Sequence, residues 1–267
     1  MRAFRVAYDG RPFHGFQRQP DVPTVEDAIF DAVRALGAAD GKPEGYAAAG
    51  RTDAGVSAVA QTVAFECPDW LTPSALNSEL PASVRAWASA EAPDDFHATH
   101  HAESRAYVYH CYAPDADLGR AEEALARLCD GENDFHNLTP DDDNTVRDLS
   151  GEVRRDTDYL VFELRAGGFV REMVRRVVSL VRAVATGDAE LAKVERVLGP
   201  DKIDGPAGVP PAPASPLVLV DAVYPRLAFS VDDEAAESAR GVFESLREER
   251  ATGARVAREV AGRIEPE

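Results

Sequence analysis

Hydrophobic and polar positions follow two periods along the chain. Runs with apolar residues at every second position predict β-strands, and they lie at residues 3–10, 61–67, 84–90, 101–114, 157–166 and 216–225. Runs with apolar residues every three or four positions predict helices, at residues 24–36, from about 72, at 118–129, 169–187 and 188–198, and in a charged tail from Asp232. The mixture has no regular βαβ rhythm. It therefore favours an α+β fold with a largely antiparallel sheet over a doubly wound fold.

Two sets of strands and helices, before and after about residue 100, suggest two similar halves, although their self-similarity is too weak to define a repeat. We expect an N-terminal half at 1–100, a C-terminal half at 101–227 and an acidic, helical tail at 228–267. The acidic stretch TPDDDNTVRD at 139–148 is predicted to be an exposed loop, and the proline-rich stretch 206–216 a connector.

The charge balance is unusual. The chain of 267 residues carries 47 Asp and Glu against 29 Lys and Arg, a net charge of −18, and nearly all of its basic residues are arginines. A dense carboxylate surface keeps a protein soluble, and it also suits adaptation to very high salt, the interpretation we favour. Both interpretations argue against a generic basic nucleic-acid binder. Neither excludes a local arginine-lined groove.

Location and metal binding are constrained by what the sequence lacks. No apolar run approaches the roughly 20 residues that span a membrane, and the first ten residues lack the hydrophobic region of a signal peptide, so we expect a cytoplasmic protein. The potential metal ligands are three cysteines without a CxxC pair and four loosely clustered histidines: Cys67, Cys111, Cys129, His97, His100, His101 and His110. Their spacing predicts neither a disulfide framework nor a metal site.

One acid stands out in the segment GRTDAGVSA at residues 50–58. Asp-Ala-Gly is a turn sequence, so Asp53 fits a purely structural turn ahead of a strand. Loops at strand ends are also where catalytic and binding residues are often located. An ionised aspartate can act as a nucleophile or a base, and Arg51 is near enough in sequence to aim it. Both interpretations stay open on these residues alone.

The predicted helix at 169–187 has an apolar face and, beside it, a row formed by Arg171, Arg175 and Arg182. This row is either a solvated flank or a site for phosphate or carboxylate groups, which suit the guanidinium fork. Tyr107 and Tyr109 share one side of a predicted strand. They belong either to the core or to the edge of a cleft where a ring can stack on a base.

Five blocks together resemble the successive signatures of the tRNA pseudouridine synthase A family. They follow that family's order across residues 1–225: YDGRPFHGFQRQP (8–20), GRTDAGVSA (50–58), RAYVYH (105–110), FVREMVRRVV (169–178) and PLVLVDAVYP (216–225). The charge balance points to a relative from a halophilic archaeon. One departure is GFQ at Gly15–Gln17, where the family usually has GWQ.

The resemblance implies a pseudouridine synthase fold of two similar α/β halves around a central mixed sheet. It also implies isomerisation of uridine at positions 38, 39 and/or 40 of the tRNA anticodon stem-loop, by a homodimer without cofactor or metal. By position, Asp53 is the implied catalytic residue, Arg51 its partner, Tyr107 the ring that stacks on uracil, and Arg175 a further active-site residue. Arg171 and Arg182 are candidate tRNA contacts.

A single aspartate suits this chemistry. Breaking the N1–C1′ bond, turning the uracil and joining C5 to C1′ is an isomerisation, so no redox cofactor is called for. Two rival classes remain at this point: an RNA-binding relative without activity, and a carboxylate-dependent hydrolase. An intact Asp53, Arg51 and Tyr107 argue against the first. The second needs two carboxylates at a defined separation, and the motif carries only one.

Overall fold

The computed structural model describes residues 1–203 and 205–264, and a nine-stranded β-sheet runs through this part of the chain. The strands of this sheet and of a separate two-stranded ribbon (β6 and β7) are β1 (Arg2–Tyr8), β2 (Ala47–Ala48), β3 (Ser57–Phe65), β4 (Val84–Glu91), β5 (Ser104–Tyr112), β6 (Glu132–Asp134), β7 (Val146–Asp148), β8 (Ser150–Asp156), β9 (Tyr159–Ala166), β10 (Leu217–Val223) and β11 (Ser230–Val231).

The strand order of the large sheet is β11-β4-β1-β3-β10-β5-β9-β8, with β2 beside β3. All these neighbours are antiparallel except β3 and β10, which pair in parallel through Ser57 with Val218 and Ala58 with Leu219. The predicted α+β class with a mostly antiparallel, mixed sheet is therefore confirmed. The parallel pair lies at the centre of the sheet, directly after the turn that carries Asp53.

Six α-helices accompany the sheet within the described ranges: α1 (Val25–Ala35), α2 (Pro73–Glu79), α3 (Leu118–Leu128), α4 (Met173–Thr186), α5 (Ala192–Leu198) and α6 (Asp233–Gly262). Thr24 caps α1 by accepting a hydrogen bond from the backbone N–H of Asp27, the role expected of a threonine at that position. The apolar face predicted for α4 is buried throughout, from Val174 to Val184. It packs into the main core together with Tyr107 and Tyr109.

Three predicted starts lie four residues from the observed ones, those of α4, β3 and α5, the last of which begins at Ala192 and not at residue 188. The helix predicted from residue 169 begins only at Met173, because Glu172 takes a left-handed conformation with φ 61° and so interrupts the helical backbone. Residues 169–170 are irregular and residues 171–172 form a turn instead, and Phe169 packs against Tyr107. Strand β3 begins at Ser57, four residues before its predicted start. Strand β8 was not predicted, because it is an edge strand with Val153 as its one buried side chain, so its sequence lacks an apolar period.

The predicted helical tail is confirmed as α6, whose first half lies against the body of the protein. Asp232 caps this helix by accepting from the N–H of Ala235, and it also accepts from the N–H and the hydroxyl of Ser74 in α2. Ala235 and Ala239 are buried, whereas residues 251–264 are exposed on every side. None of the helices in residues 1–203 and 205–264 is long and apolar enough to cross a membrane.

Candidate active site

A cleft of about 1420 Å³ opens beside the parallel pair of strands. Its walls include four segments that are distant in sequence: residues 14–19, the turn at 50–54, strand β5 at Tyr107, and residues 168–175 at the start of α4. The register of the sheet explains this meeting, since Leu219 pairs with Ala58 on one side and with Tyr107 on the other. The Asp53 turn and Tyr107 are thereby brought to the same cleft.

Asp53 lies in a tight turn that is supported from behind. The N–H of Val56 donates to the carbonyl of Asp53 at 3.1 Å, and Gly55 takes φ 82°, a left-handed conformation that favours glycine. The hydroxyl of the preceding Thr52 is 2.8 Å from the hydroxyl of buried Tyr8. The turn interpretation of this segment is therefore correct. The carboxylate itself lines the cleft, with about a third of its side chain exposed.

Arg175 holds the Asp53 carboxylate. Its Nη1 lies 2.9 Å from Oδ2 of Asp53, and its Nε donates to the carbonyl of Ala212 at 2.7 Å. The Arg175 side chain is only 15 % exposed, so this charge-assisted contact is partly shielded from solvent. Arginine bound at two points has little freedom to turn away. The other carboxylate oxygen, Oδ1, has no hydrogen-bond partner among the described residues.

Tyr107 forms the wall next to this carboxylate. Its side chain is 9 % exposed, and Phe169 meets its ring edge to face at a centroid distance of 5.1 Å. Burial raises the pKa of the Tyr107 phenol to about 12, while the charges of Arg105 and Asp53 act in opposite directions. The phenol therefore stays neutral at working pH. It offers a flat ring to a planar ligand.

The remaining candidates are placed differently. Arg51 is exposed at the cleft and forms no ion pair with Asp53 within the described residues, where the cation paired with Asp53 is Arg175. Arg171 lines the cleft and is held by Asp141, 3.2 Å from Nε to Oδ1. Arg182 is exposed and lies outside the cleft lining. The three arginines therefore do not act as one group: Arg171 and Arg175 line the cleft, and Arg182 does not.

The loop at 139–148, predicted to be simply exposed, has a structural tie to the cleft. Asp141 accepts a hydrogen bond from the backbone N–H of Arg171 at 2.9 Å in addition to its ion pair with that side chain. Thr139 and Thr145, which flank the acidic residues, are buried. The loop thus contributes one acid and one base, Asp141 and Arg147, to the lining of the cleft.

Arg105 is a residue of this site that the sequence reasoning did not single out. It is 8 % exposed, and its guanidinium donates to three backbone carbonyls, those of Ala49, Thr99 and Gly167, at 2.6–2.8 Å. These carbonyls belong to three separate segments. The first leads into the Asp53 turn and the third into Phe169 and α4. The available signal was the arginine of the R-x-Y motif, two residues before Tyr107.

The proline-rich connector is hydrogen-bonded to α4 and β5. The Tyr109 hydroxyl donates to the carbonyl of Pro213 at 3.0 Å, and Arg176 donates to the carbonyl of Val209 at 2.6 Å. The N–H of Ala212 donates to the carbonyl of Arg175. The connector therefore fixes the backbone and the side chain of Arg175 at once. His97 and His100 also line the cleft, but no three His, Cys, Asp or Glu side chains converge as metal ligands in the described ranges.

Comparison with known proteins places this geometry in context. A family model described as tRNA pseudouridine synthase matches residues 125–225. The tRNA pseudouridine synthase A of Natronomonas pharaonis is 59 % identical over 261 residues, covering 96 % of this chain and 97 % of the relative. That of Haloarcula marismortui is 55 % identical over 269 residues, covering 96 % and 98 %. Both organisms are halophilic archaea.

Relatives of lower sequence identity include another enzyme of the same name. The tRNA pseudouridine synthase A of Thermococcus kodakarensis is 39 % identical over 253 residues, covering 91 % of this chain and 92 % of the relative. Among solved structures, an archaeal box H/ACA sRNP Nop10-Cbf5 complex aligns with 68 % of this chain and 42 % of that chain, at 13 % identity and a TM-score of 0.35. A likeness of that size carries no argument about this chain.

The structural role of Arg105 can be tested by measuring how its substitution changes the free energy of unfolding. Arg105→Lys replaces a planar fork by one ammonium group, which cannot reach all three carbonyls, and buried carbonyls without a donor are costly. We expect the free energy of unfolding to fall by about 2–4 kcal/mol, measured by denaturant titration. The matched control is Arg154→Lys on the exposed face of β8, which should stay within about 0.5 kcal/mol of the parent. Equal stabilities of the two variants would contradict this role.

Proposed function

Since this chain belongs to the tRNA pseudouridine synthase A family, it isomerises uridine to pseudouridine in tRNA, and we propose that Asp53 carries the reaction at positions 38, 39 and/or 40 of the anticodon stem-loop. The observation that best supports this role is the carboxylate itself, which faces a cleft while Arg175 holds its other oxygen at 2.9 Å. One oxygen is thereby anchored and the other is free to react.

The reaction moves the glycosidic bond of uridine from N1 to C5. The N1–C1′ bond breaks, the uracil turns within the cleft, C5 joins C1′, the proton of C5 leaves to solvent, and N1 gains one. Three roles fit the Asp53 carboxylate: attack on C1′, attack on C6, or removal of a proton from the sugar. Each requires a nucleophile or base rather than a proton donor, which suits a carboxylate that faces a guanidinium.

Tyr107 and Arg175 serve this step in different ways. We assign Tyr107 to the uracil ring, because its neutral, buried ring forms the wall next to Asp53 and keeps the detached base in the cleft. We assign Arg175 to the orientation of Asp53. The target uridine must leave the RNA stack before it reaches the carboxylate. Arg51 is exposed at the same cleft and is placed to contact the RNA there.

The other acids of the cleft argue against a two-carboxylate hydrolase. Asp141 is paired with Arg171, Glu172 with Arg176 at 2.7 Å, and Glu26 accepts from the N–H of Arg18 at 2.9 Å. Each is therefore engaged in holding local structure. A hydrolase of glycosides needs a second carboxyl group that is free to donate a proton across the scissile bond. Asp53 is itself paired with Arg175, so none of the four acids that line the cleft is an unpaired carboxyl group suited to donate a proton, and this favours isomerisation over glycoside hydrolysis.

The acidic chain must bind a polyanion through local cations. Arg18, Lys42, Arg51, Arg147 and Arg171 line the cleft of a protein with a net charge of −18. Binding by counterion release weakens steeply as salt rises. In an organism of high internal salt we therefore assign recognition to RNA shape, base stacking and bidentate arginine–phosphate contacts. This charge pattern is consistent with relatives from halophilic archaea.

The segments 1–100 and 101–227 both contribute to the cleft wall, and we propose that they are the two halves of the fold, with 228–267 as an added tail. We also propose that the enzyme works as a homodimer in which one tRNA touches both subunits. Light scattering in molar KCl should then give twice the 28.8 kDa of one chain. A mass of one chain at micromolar concentration would contradict the dimer.

The catalytic assignment is tested with tRNA transcripts that carry C5-tritiated uridine. The parent should release tritium to water while the RNA keeps its length, and Asp53→Asn should lower this rate by more than about 10³-fold. The dissociation constant of Asp53→Asn for tRNA should stay within threefold of the parent value, since the substitution keeps the shape of the side chain. The control is Asp115→Asn, an exposed aspartate remote from the cleft.

The target position is read from the same assay. Three transcripts, each with uridine at only one of positions 38, 39 and 40, should release tritium for at least one of them, whereas a transcript with none of the three should release none above background. Parental release by Asp53→Asn would contradict the role of Asp53. Release from the transcript that lacks all three uridines would contradict the proposed positions.

A further inference from the structure

Arg250 of the long helix α6 forms an ion pair with Asp9, at the end of β1. Its Nη2 lies 2.5 Å from Oδ2 of Asp9, although 241 positions separate the two residues. Asp9 is 8 % exposed and Arg250 is 38 % exposed. Beyond Arg250 every described residue of the helix is exposed. The docked part of α6 therefore ends at this ion pair.

Asp9 belongs to a turn that lies flat against the Asp53 segment. The N–H of Gly10 donates to the Ser57 hydroxyl at 3.1 Å. A Cβ atom added to Gly10 would lie 2.0 Å from the carbonyl oxygen of Val56 and 2.8 Å from the carbonyl carbon of Gly55, so only glycine permits this approach. Residues 55–57 continue directly from the turn of Asp53. A displacement of the Asp9–Gly10 turn is thus passed to the catalytic turn.

The Asp9 carboxylate depends on Arg250 for its charge balance. In the described residues its other polar contact is a long one, 3.4 Å from the backbone N–H of Arg11. A nearly buried carboxylate that loses its cation is strongly unfavourable, and the local structure rearranges to rehydrate it. Without Arg250, the simplest rearrangement moves the Asp9–Gly10 turn outward, away from residues 55–57.

We propose that Arg250 is a positioning residue for the isomerisation: through Asp9 it presses the Asp9–Gly10 turn against residues 55–57 and so holds Asp53 at Arg175 and Tyr107. The inference rests on the proposed role of Asp53. It gives the tail helix a part in the reaction that its own exposed, acidic sequence does not suggest. It also explains why α6 runs across β4 and α2 as far as this turn before it loses contact with the body.

The test compares Arg250→Gln with Arg255→Gln, which removes an exposed arginine five residues further along the same helix. In single-turnover tritium release at saturating enzyme, Arg250→Gln should be about tenfold slower, with tRNA affinity within twofold of the parent. Arg255→Gln should match the parent in both. Arg250→Lys, which keeps the cation, should restore the rate to within threefold of the parent.

Two further measurements separate positioning from simple anchoring of the tail. Hydrogen exchange in the free enzyme should show faster exchange at residues 53–57 in Arg250→Gln but not in Arg255→Gln. The double variant Asp9→Asn/Arg250→Gln should be no slower than Arg250→Gln alone, because both changes act through one contact. If Arg250→Gln does not fold, the comparison of Asp9→Asn with the parent in both assays takes its place.

Several outcomes would overturn the proposal. Equal rates for the two glutamine variants would do so, as would a loss confined to tRNA affinity, which would make Arg250 an RNA contact. An unchanged hydrogen-exchange rate at residues 53–57 in Arg250→Gln would show that the loss of Arg250 does not reach the Asp53 turn. A parent enzyme that releases no tritium would instead refute the proposed function, and the exchange experiment would still report on the mechanical link.

Discussion

An ion pair between Asp53 and Arg175 connects the two parts of the chain at the place where they meet. The aspartate stands in the turn before β3 and the arginine in the first turn of α4, 122 positions later. The other contacts of the site serve to hold these two side chains. Tyr8 and the Gly55 turn support the aspartate, and the proline-rich connector holds the arginine through the Ala212 carbonyl.

Arg105 adds a second constraint beneath this pair. One buried guanidinium joins the backbone ahead of Asp53, the loop at Thr99 and the backbone ahead of α4. Its partners are all carbonyls, so its positive charge is spread over dipoles rather than cancelled by an acid. A site built in this way is preorganised by buried contacts that solvent ions do not reach. Such contacts are suited to a protein with an acidic surface in high salt.

Much of this arrangement was predictable from the sequence. The apolar periods located the long helices and most strands, since α1, α3, α4 and β9 carry strong periodicity over eight or more residues. The edge strand β8 was missed because one buried valine makes no pattern. The family resemblance, not the period, singled out Asp53 and Arg175.

Which residues of the site contact each other was harder to predict than which residues belong to it. Arg51 is two residues from Asp53, and proximity in sequence favoured it as the partner. Both side chains line the cleft without an ion pair between them among the described residues, while a helix far along the chain brings Arg175 to the carboxylate. The tie between Arg250 and Asp9 had no sequence signal either. Contacts of this kind depend on the packing of whole elements, which a local pattern does not contain.

We infer that Arg175 orients the Asp53 carboxylate for the reaction, and the single-turnover rate of Arg175→Lys measures this effect. Lysine keeps the positive charge but cannot bind Ala212 and Asp53 together through a rigid fork. We predict that the rate of pseudouridine formation falls by about 10²-fold while the dissociation constant for tRNA stays within threefold. A rate close to that of the parent, or a loss that lies entirely in tRNA binding, would contradict the account.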